Sequence, residues 1–118
     1  MIDSPNLTRI TEDLDDFDAV IIEYEFILKD FSPFEKRFLK RLKQLKLNQL
    51  PLLVGLNLSL QTNLTVVSIM QCSLSSIASF AELLCVTELD VRGNHIESMA
   101  PIQNLSKLKI LNLSNNNL

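Results

Sequence analysis

Glycine is nearly absent from this 118-residue chain, which has two glycines, two cysteines and one histidine. Such scarcity leaves little material for a glycine-rich phosphate loop, a disulfide framework or a metal cluster. No apolar run approaches the ~18 residues that a membrane span needs. The first sixteen residues are polar and acidic, unlike a secretory signal. An overall excess of positive charge is also missing. The net charge is −3, which offers no global attraction to nucleic acid or to an anionic membrane. What remains, 47% apolar and 21% charged side chains, suits one globular domain with a modest core. With Met1 as the true start, the expectation is a soluble cytoplasmic protein, nuclear or cytoskeletal placement remaining open.

What the chain does have is a period. Leu42, Leu64, Val86 and Leu108 are spaced by 22 residues each time. The same step carries Leu45 to Val67, Leu89 and Leu111, and Leu47 to Ile69, Val91 and Leu113. Leu52, Leu74, Ile96 and Leu118 make a fourth column. Sixteen apolar hits in one register would arise by chance in roughly six trials in a million.

Each unit begins L-x-x-L-x-L-x-x-N-x-L, with Asn94 and Asn116 in the asparagine slot and Cys72 there one unit earlier. This resembles the leucine-rich repeat, whose slot accepts Asn or Cys. At 22 residues it is most similar to the short intracellular subclass typified by a regulatory subunit of protein phosphatase 1. That subclass continues N-x-I-x-x-I-x-x-L-x-x-L. Asn94, Ile96, Met99, Ile102 and Leu105 follow it, as do Cys72, Leu74, Ile77, Phe80 and Leu83. The first clear unit departs from it, with Leu50 for Asn, Gly55 for Ile and Gln61 for Leu.

The units are placed at 42–63, 64–85, 86–107 and an incomplete 108–118. Upstream, Phe17, Val20, Ile22 and Ile27 match the template with Glu25 in the asparagine slot, giving a capping repeat over 17–41. Residues 1–16 are expected to be an acidic arm or a first capping turn. Ser32-Pro33-Phe34-Glu35 combines a capping box with proline at the first helical position, so a helix is predicted over about 33–42. It would turn Phe34, Phe38, Leu39 and Leu42 inward and leave Lys36, Arg37, Lys40, Arg41 and Lys43 outside.

Alternation in L-x-L is strand periodicity, and three-residue spacing afterwards returns one apolar side chain per short helical turn. The resemblance implies an α/β solenoid, a right-handed superhelix. About five parallel strands would line its concave face, with short 3₁₀ or helical turns on the convex one. Strands are expected to centre on Ile21, Lys46, Ser68, Asp90 and Asn112. The asparagine amide would satisfy backbone groups of neighbouring turns, and Cys72 would hold its turn less firmly. Leu111, Leu113 and Leu118 would face water along an open strand edge, so further repeats or another chain are expected to cover it.

Catalytic chemistry finds little support. His95 stands alone just past the asparagine turn, and neither a nucleophile nor a metal site works without converging partners. Cys72 and Cys85 are 13 residues apart, without zinc spacing, and read as reduced structural thiols. Glu12, Asp13, Asp15, Asp16 and Asp18 lack the glycine and spacing of a calcium loop and read as a solvated acidic arm. Five Asn-x-Ser/Thr triplets, starting at Asn6, Asn57, Asn63, Asn104 and Asn112, read as by-products of composition. No enzyme activity, metal or cofactor is expected.

Recognition is expected on the concave sheet, where three columns project between the core positions. They are Ala19, Gln44, Val66, Glu88 and Ile110; then Ile21, Lys46, Ser68, Asp90 and Asn112; then Glu23, Asn48, Met70, Arg92 and Ser114. Val66, Met70 and Ile110 would supply apolar anchors, while Lys46, Glu88, Asp90 and Arg92 would set charge complementarity. A second candidate is the basic patch of Lys36, Arg37, Lys40, Arg41 and Lys43. It would serve an acidic partner or a phosphate backbone, although its phenylalanines are expected on the apolar side, away from any base.

These readings converge on a non-catalytic protein–protein interaction module, the N-terminal part of a longer intracellular scaffold or adaptor. Its partner would be another protein, with nucleic acid less favoured and no membrane. Two alternatives stand beside it. One is a regulatory segment of a larger enzyme, and the other a cytoskeletal, flagellar or ribonucleoprotein assembly component using the basic segment 33–43.

Overall fold

A computed structural model describes residues 14–24, 28 and 31–118 of the chain. The readings placed on residues 1–13, and on Glu25 and Ile27, lie outside the described residues. Five strands form one sheet in chain order: β1 (Ala19–Glu23), β2 (Gln44–Asn48), β3 (Val66–Met70), β4 (Glu88–Asp90) and β5 (Ile110–Asn112). Every neighbouring pair is parallel. Ala19 lies opposite Gln44, Gln44 opposite Val66, Val66 opposite Glu88, and Glu88 opposite Ile110. The columns expected on the concave face, including the first step from Ala19 to Gln44, are therefore the observed register. Only the lengths differ, since β4 and β5 stop at Asp90 and Asn112.

The alternation buries one face of the sheet. Val20, Ile22, Leu45, Leu47, Val67, Ile69, Leu89 and Val91 point inward, where Phe34, Leu58, Phe80 and Ile102 meet them from the opposite side. Short 3₁₀ turns at Ala78–Glu82 and Ala100–Ile102 present Phe80 and Ile102 to that core. Another spans Leu14–Asp16, ahead of β1. Neither layer of a unit can bury its apolar face alone; neighbouring coils complete it.

Three sequence expectations need correction. The helix predicted over 33–42 is α1, which runs only from Ser32 to Glu35. The cause is Gln61, which is 1% exposed. Its Nε2 donates to the carbonyls of Phe34 (2.7 Å) and Arg37 (2.8 Å), and its Oε1 accepts from the Leu39 N–H (3.1 Å). A continuing helix would engage the Phe34 carbonyl and the Leu39 N–H itself, so the glutamine takes the place of the next turn. Released from helical phase, Phe38 faces solvent at 47% exposure while Leu39 fills the core. Glu35 is also not half of a capping box. Its carboxylate accepts the N–H of Asn57 in the next coil at 2.7 Å, and the N-cap position is Phe31.

The second correction concerns Leu52, which is exposed while Leu53 is buried in its place. An apolar Leu50 in the asparagine slot cannot donate to the turn. The chain tightens instead, with the Leu53 N–H on the Leu50 carbonyl at 3.1 Å. Third, Met99 is exposed where the repeat expects an inward residue. Leu111 and Leu118 are exposed as expected, whereas Leu113, expected to face water, packs half-buried against the core.

The asparagine column behaves as its chemistry demands. Asn94 donates through Nδ2 to the carbonyls of Ile69 (2.7 Å) and Val91 (2.8 Å) and accepts the Leu74 N–H at 3.2 Å. Asn116 repeats this with Val91 and Leu113 as acceptors and the Ile96 N–H as donor. The Cys72 thiol donates weakly, toward the Met70 carbonyl at 3.3 Å and that of Leu47 at 3.9 Å. Just past the strands, Tyr24, Gln49, Gln71, Gly93 and Asn115 all take positive φ, between 52° and 73°. A Cβ on Gly93 would lie 3.0 Å from the Gln71 Cγ, so this glycine answers both the dihedral and the close approach.

Candidate functional site

The inward set is fixed by the core, which leaves the outward set on the concave face free for other work. β2, β3 and β4 bring Lys46, Ser68 and Asp90 side by side, at a spacing of about 4.8 Å per strand. Around them opens a cleft of about 300 Å³ whose lining includes Val66, Met70, Glu88, Arg92 and Ile110. Ser68 is 9% exposed and forms its floor. Val66 and Met70 are half-buried, and Ile110 is 57% exposed at the rim.

The charges there divide into two kinds. Arg92 is committed within the sheet: its guanidinium lies 3.3 Å from the Asp90 carboxylate, and its Nε donates to the Met70 sulfur at 3.2 Å. Asp90 is held further because it accepts the Arg92 N–H. Lys46 and Glu88 are exposed and form no ion pair among the described residues. Those two free charges, with Val66 and Ile110, are the part of the predicted set best suited to meet another molecule. Gln44 is exposed at the edge of the same face. Asn112 and Ser114 are partly self-satisfied, because the Asn112 side chain accepts both the N–H and the hydroxyl of Ser114.

Toward the strand ends, a second cleft of about 330 Å³ is lined by Asn48, Met70, Gln71, Arg92 and Asn115. Gln49 and Gln71 form a side-chain amide rung beside it, at 3.0 Å. The Asn48 Oδ1 is buried and has no hydrogen-bond partner. The sequence reading missed this rung, and the only signal for it was glutamine recurring at a 22-residue step.

The predicted basic residues lie beyond α1, which ends at Glu35, and not along one helix face. Lys36, Arg37, Lys40, Arg41 and Lys43 are all exposed. Arg37 meets Asp15 at 3.7 Å, both well solvated, a contact that contributes little stability. Phe38, expected on the apolar side, stands among the cations. His95 is exposed, with its backbone N–H on the Leu74 carbonyl. Cys72 and Cys85 are free thiols, and burial pushes the Cys72 thiol pKa up against the lowering effect of nearby backbone hydrogen bonds. Among the described residues, no three of His, Cys, Asp and Glu converge on a metal-sized site.

The solved structure of an internalin from Listeria monocytogenes is similar to this chain, with a TM-score of 0.75 and 24% identity. The similarity covers 87% of this chain and 30% of the internalin chain, so the chain spans less than a third of that protein. No family model and no curated protein matches the sequence. With five parallel strands in repeat register, the similarity makes this fold a leucine-rich-repeat solenoid.

Proposed function

We propose that the chain is a protein-interaction module whose concave sheet receives a partner protein and carries out no chemistry of its own. One observation carries the reading. Lys46, Val66, Glu88 and Ile110 border a cleft on a face whose identities the repeat leaves free, and they combine unpaired charge with exposed apolar surface. Apolar anchors supply affinity, and flanking charges select the partner and speed the encounter. Membership of the short intracellular subclass is part of the proposal. It is supported by the strict 22-residue step and by 3₁₀ turns in place of long convex helices. Two free thiols in so small a domain are in keeping with a reducing compartment.

The test begins with affinity purification of the natural full-length protein, followed by mass spectrometry. Recovered proteins are then challenged with a Lys46→Glu, Glu88→Lys, Ile110→Asp variant whose melting temperature matches the parent. Loss of a specific partner from the variant is the expected result. Retention of every partner would remove the concave face as the site.

A further inference from the structure

The segments that enter the strands, 36–43, 58–65, 80–87 and 102–109, lie along one edge of the solenoid. They cross from the convex side to the strands, and a ladder of backbone bonds aligns their last residues. Lys43 donates its N–H to the Asp18 carbonyl, Thr65 to Lys43, Thr87 to Thr65 and Lys109 to Thr87, each at 2.8 Å. The Asn63 amide adds a tie to the Lys40 carbonyl at 3.0 Å. Seven of the eleven Lys and Arg residues fall in these four segments, five between Lys36 and Lys43, then Lys107 and Lys109. All seven are exposed. Glu82 is the one acid in the same four segments, and Asp15, Asp16 and Asp18 precede β1 on this edge. Cations therefore outnumber acids along an edge of a chain whose net charge is −3.

Three large apolar side chains project between those charges, one from each of three successive coils. Phe38 is 47% exposed, Leu60 41% and Leu84 56%. Core packing does not account for them, because Leu39, Gln61 and Leu83 fill the adjacent inward positions. Phe38 and Leu60 share one register, each a single residue before the hydrogen-bonded pair Leu39 and Gln61. Glu82 takes that register in the third coil and Leu84 stands two residues beyond it. Two of the three are leucines, which have no ring to stack on a nucleobase, so the set does not suit a single-stranded nucleic acid. Exposed apolar tips from successive coils, with cations in the first and last of the four segments and a single acid between, suit an anionic bilayer. The tips enter the boundary between headgroups and acyl chains while lysine and arginine stay among the phosphates.

We propose that this edge docks the solenoid on an anionic lipid surface, with Phe38, Leu60 and Leu84 inserting and the Lys36–Lys43 cations holding headgroups. The face is separate from the concave sheet, so both can be occupied at once.

The experiment is co-sedimentation of the whole chain with phosphatidylcholine vesicles, with and without phosphatidylserine, at low and raised salt. Binding is expected only with phosphatidylserine and should weaken as salt rises. Phe38→Ser/Leu60→Ser/Leu84→Ser should weaken it by roughly tenfold or more. Lys40→Glu/Arg41→Glu should weaken it by at least about fivefold for each cation removed. The concave-face variant should bind vesicles like the parent, which separates this proposal from the partner-binding one. Should the triple variant melt early, Phe38→Ser alone replaces it. Absence of binding at low salt, equal binding to both vesicles, or full binding by the apolar variants overturns the proposal. So does tight binding of a single-stranded oligonucleotide with no vesicle binding, which would reassign the edge to nucleic acid.

Discussion

Gln61 and Phe34, in adjacent coils, are joined by a hydrogen bond of 2.7 Å from the glutamine amide to the phenylalanine carbonyl. That bond ends α1 and fastens the first unit to the second. The repeat expects leucine at position 61, and each later unit has one there, Leu83 and Leu105. Glutamine occupies the slot because its neighbour is a truncated helix with two open carbonyls and an open N–H, not another copy of the repeat.

Gln61→Leu, which restores the repeat consensus, should therefore destabilise the chain. It strands the carbonyls of Phe34 and Arg37 and the N–H of Leu39 in a dry interior, at a cost of about 3 kcal/mol or more. Urea unfolding of the variant measures this directly. A change below about 1 kcal/mol would mean that the three groups find water or other partners.

The asparagine column predicts opposite outcomes for opposite substitutions. Asn94→Ala removes the bonds to Ile69, Val91 and Leu74 and should cost about 2–4 kcal/mol. Cys72→Asn should be neutral or stabilising, since an amide there reaches the carbonyls that the thiol approaches weakly. Chemical denaturation of both variants is the check, and a clear loss of stability in Cys72→Asn would contradict the equivalence of the two slots.

Gly93→Ala should cost about 1–3 kcal/mol, because its φ of +73° is strained for any residue with a Cβ. Part of that cost comes from the contact with the Gln71 Cγ. In a Gln71→Ala background the penalty should shrink without vanishing, since the dihedral remains. A four-variant thermal cycle reads the coupling, and strict additivity would show that the Gln71 side chain moves aside freely.

Burial raises the Cys72 pKa in the folded state, so the thiol ionises more readily in the unfolded chain. The stability linked to it is fully present below the ordinary thiol pKa of about 8.5, and is lost as pH rises through that value toward the raised one. Stability measured from about pH 7 to about pH 10 should fall more steeply in the parent than in Cys72→Ala. Parallel curves would remove Cys72 as a contributor.

Much of the concave face was legible before any coordinates, because a strand repeats every two residues and a solenoid coil every 22. Once Leu45, Leu47 and their equivalents were assigned to the core, Lys46 and Ser68 had to face the other way and stand beside each other. Which of those residues were free was not legible. Arg92 and Lys46 look alike in sequence, yet the first is tied to Asp90 and Met70 and the second is unpaired. Phe38 was misplaced for a related reason. Its helical spacing was real, but a helix forms only where its own backbone bonds win, and Gln61 from 23 positions away took two of those partners.

Periodic hydrophobicity settled where the strands lie and which side chains face inward, because these follow from which side chains must leave water together, and the repeat resemblance implied their parallel order and register. Tertiary structure decided the exceptions: where α1 stops, that Leu53 replaces Leu52, and that Phe38 is left exposed. The end of α1 depends on a polar group in the neighbouring coil and the Leu53 turn on a local backbone bond, and neither follows the hydrophobic period.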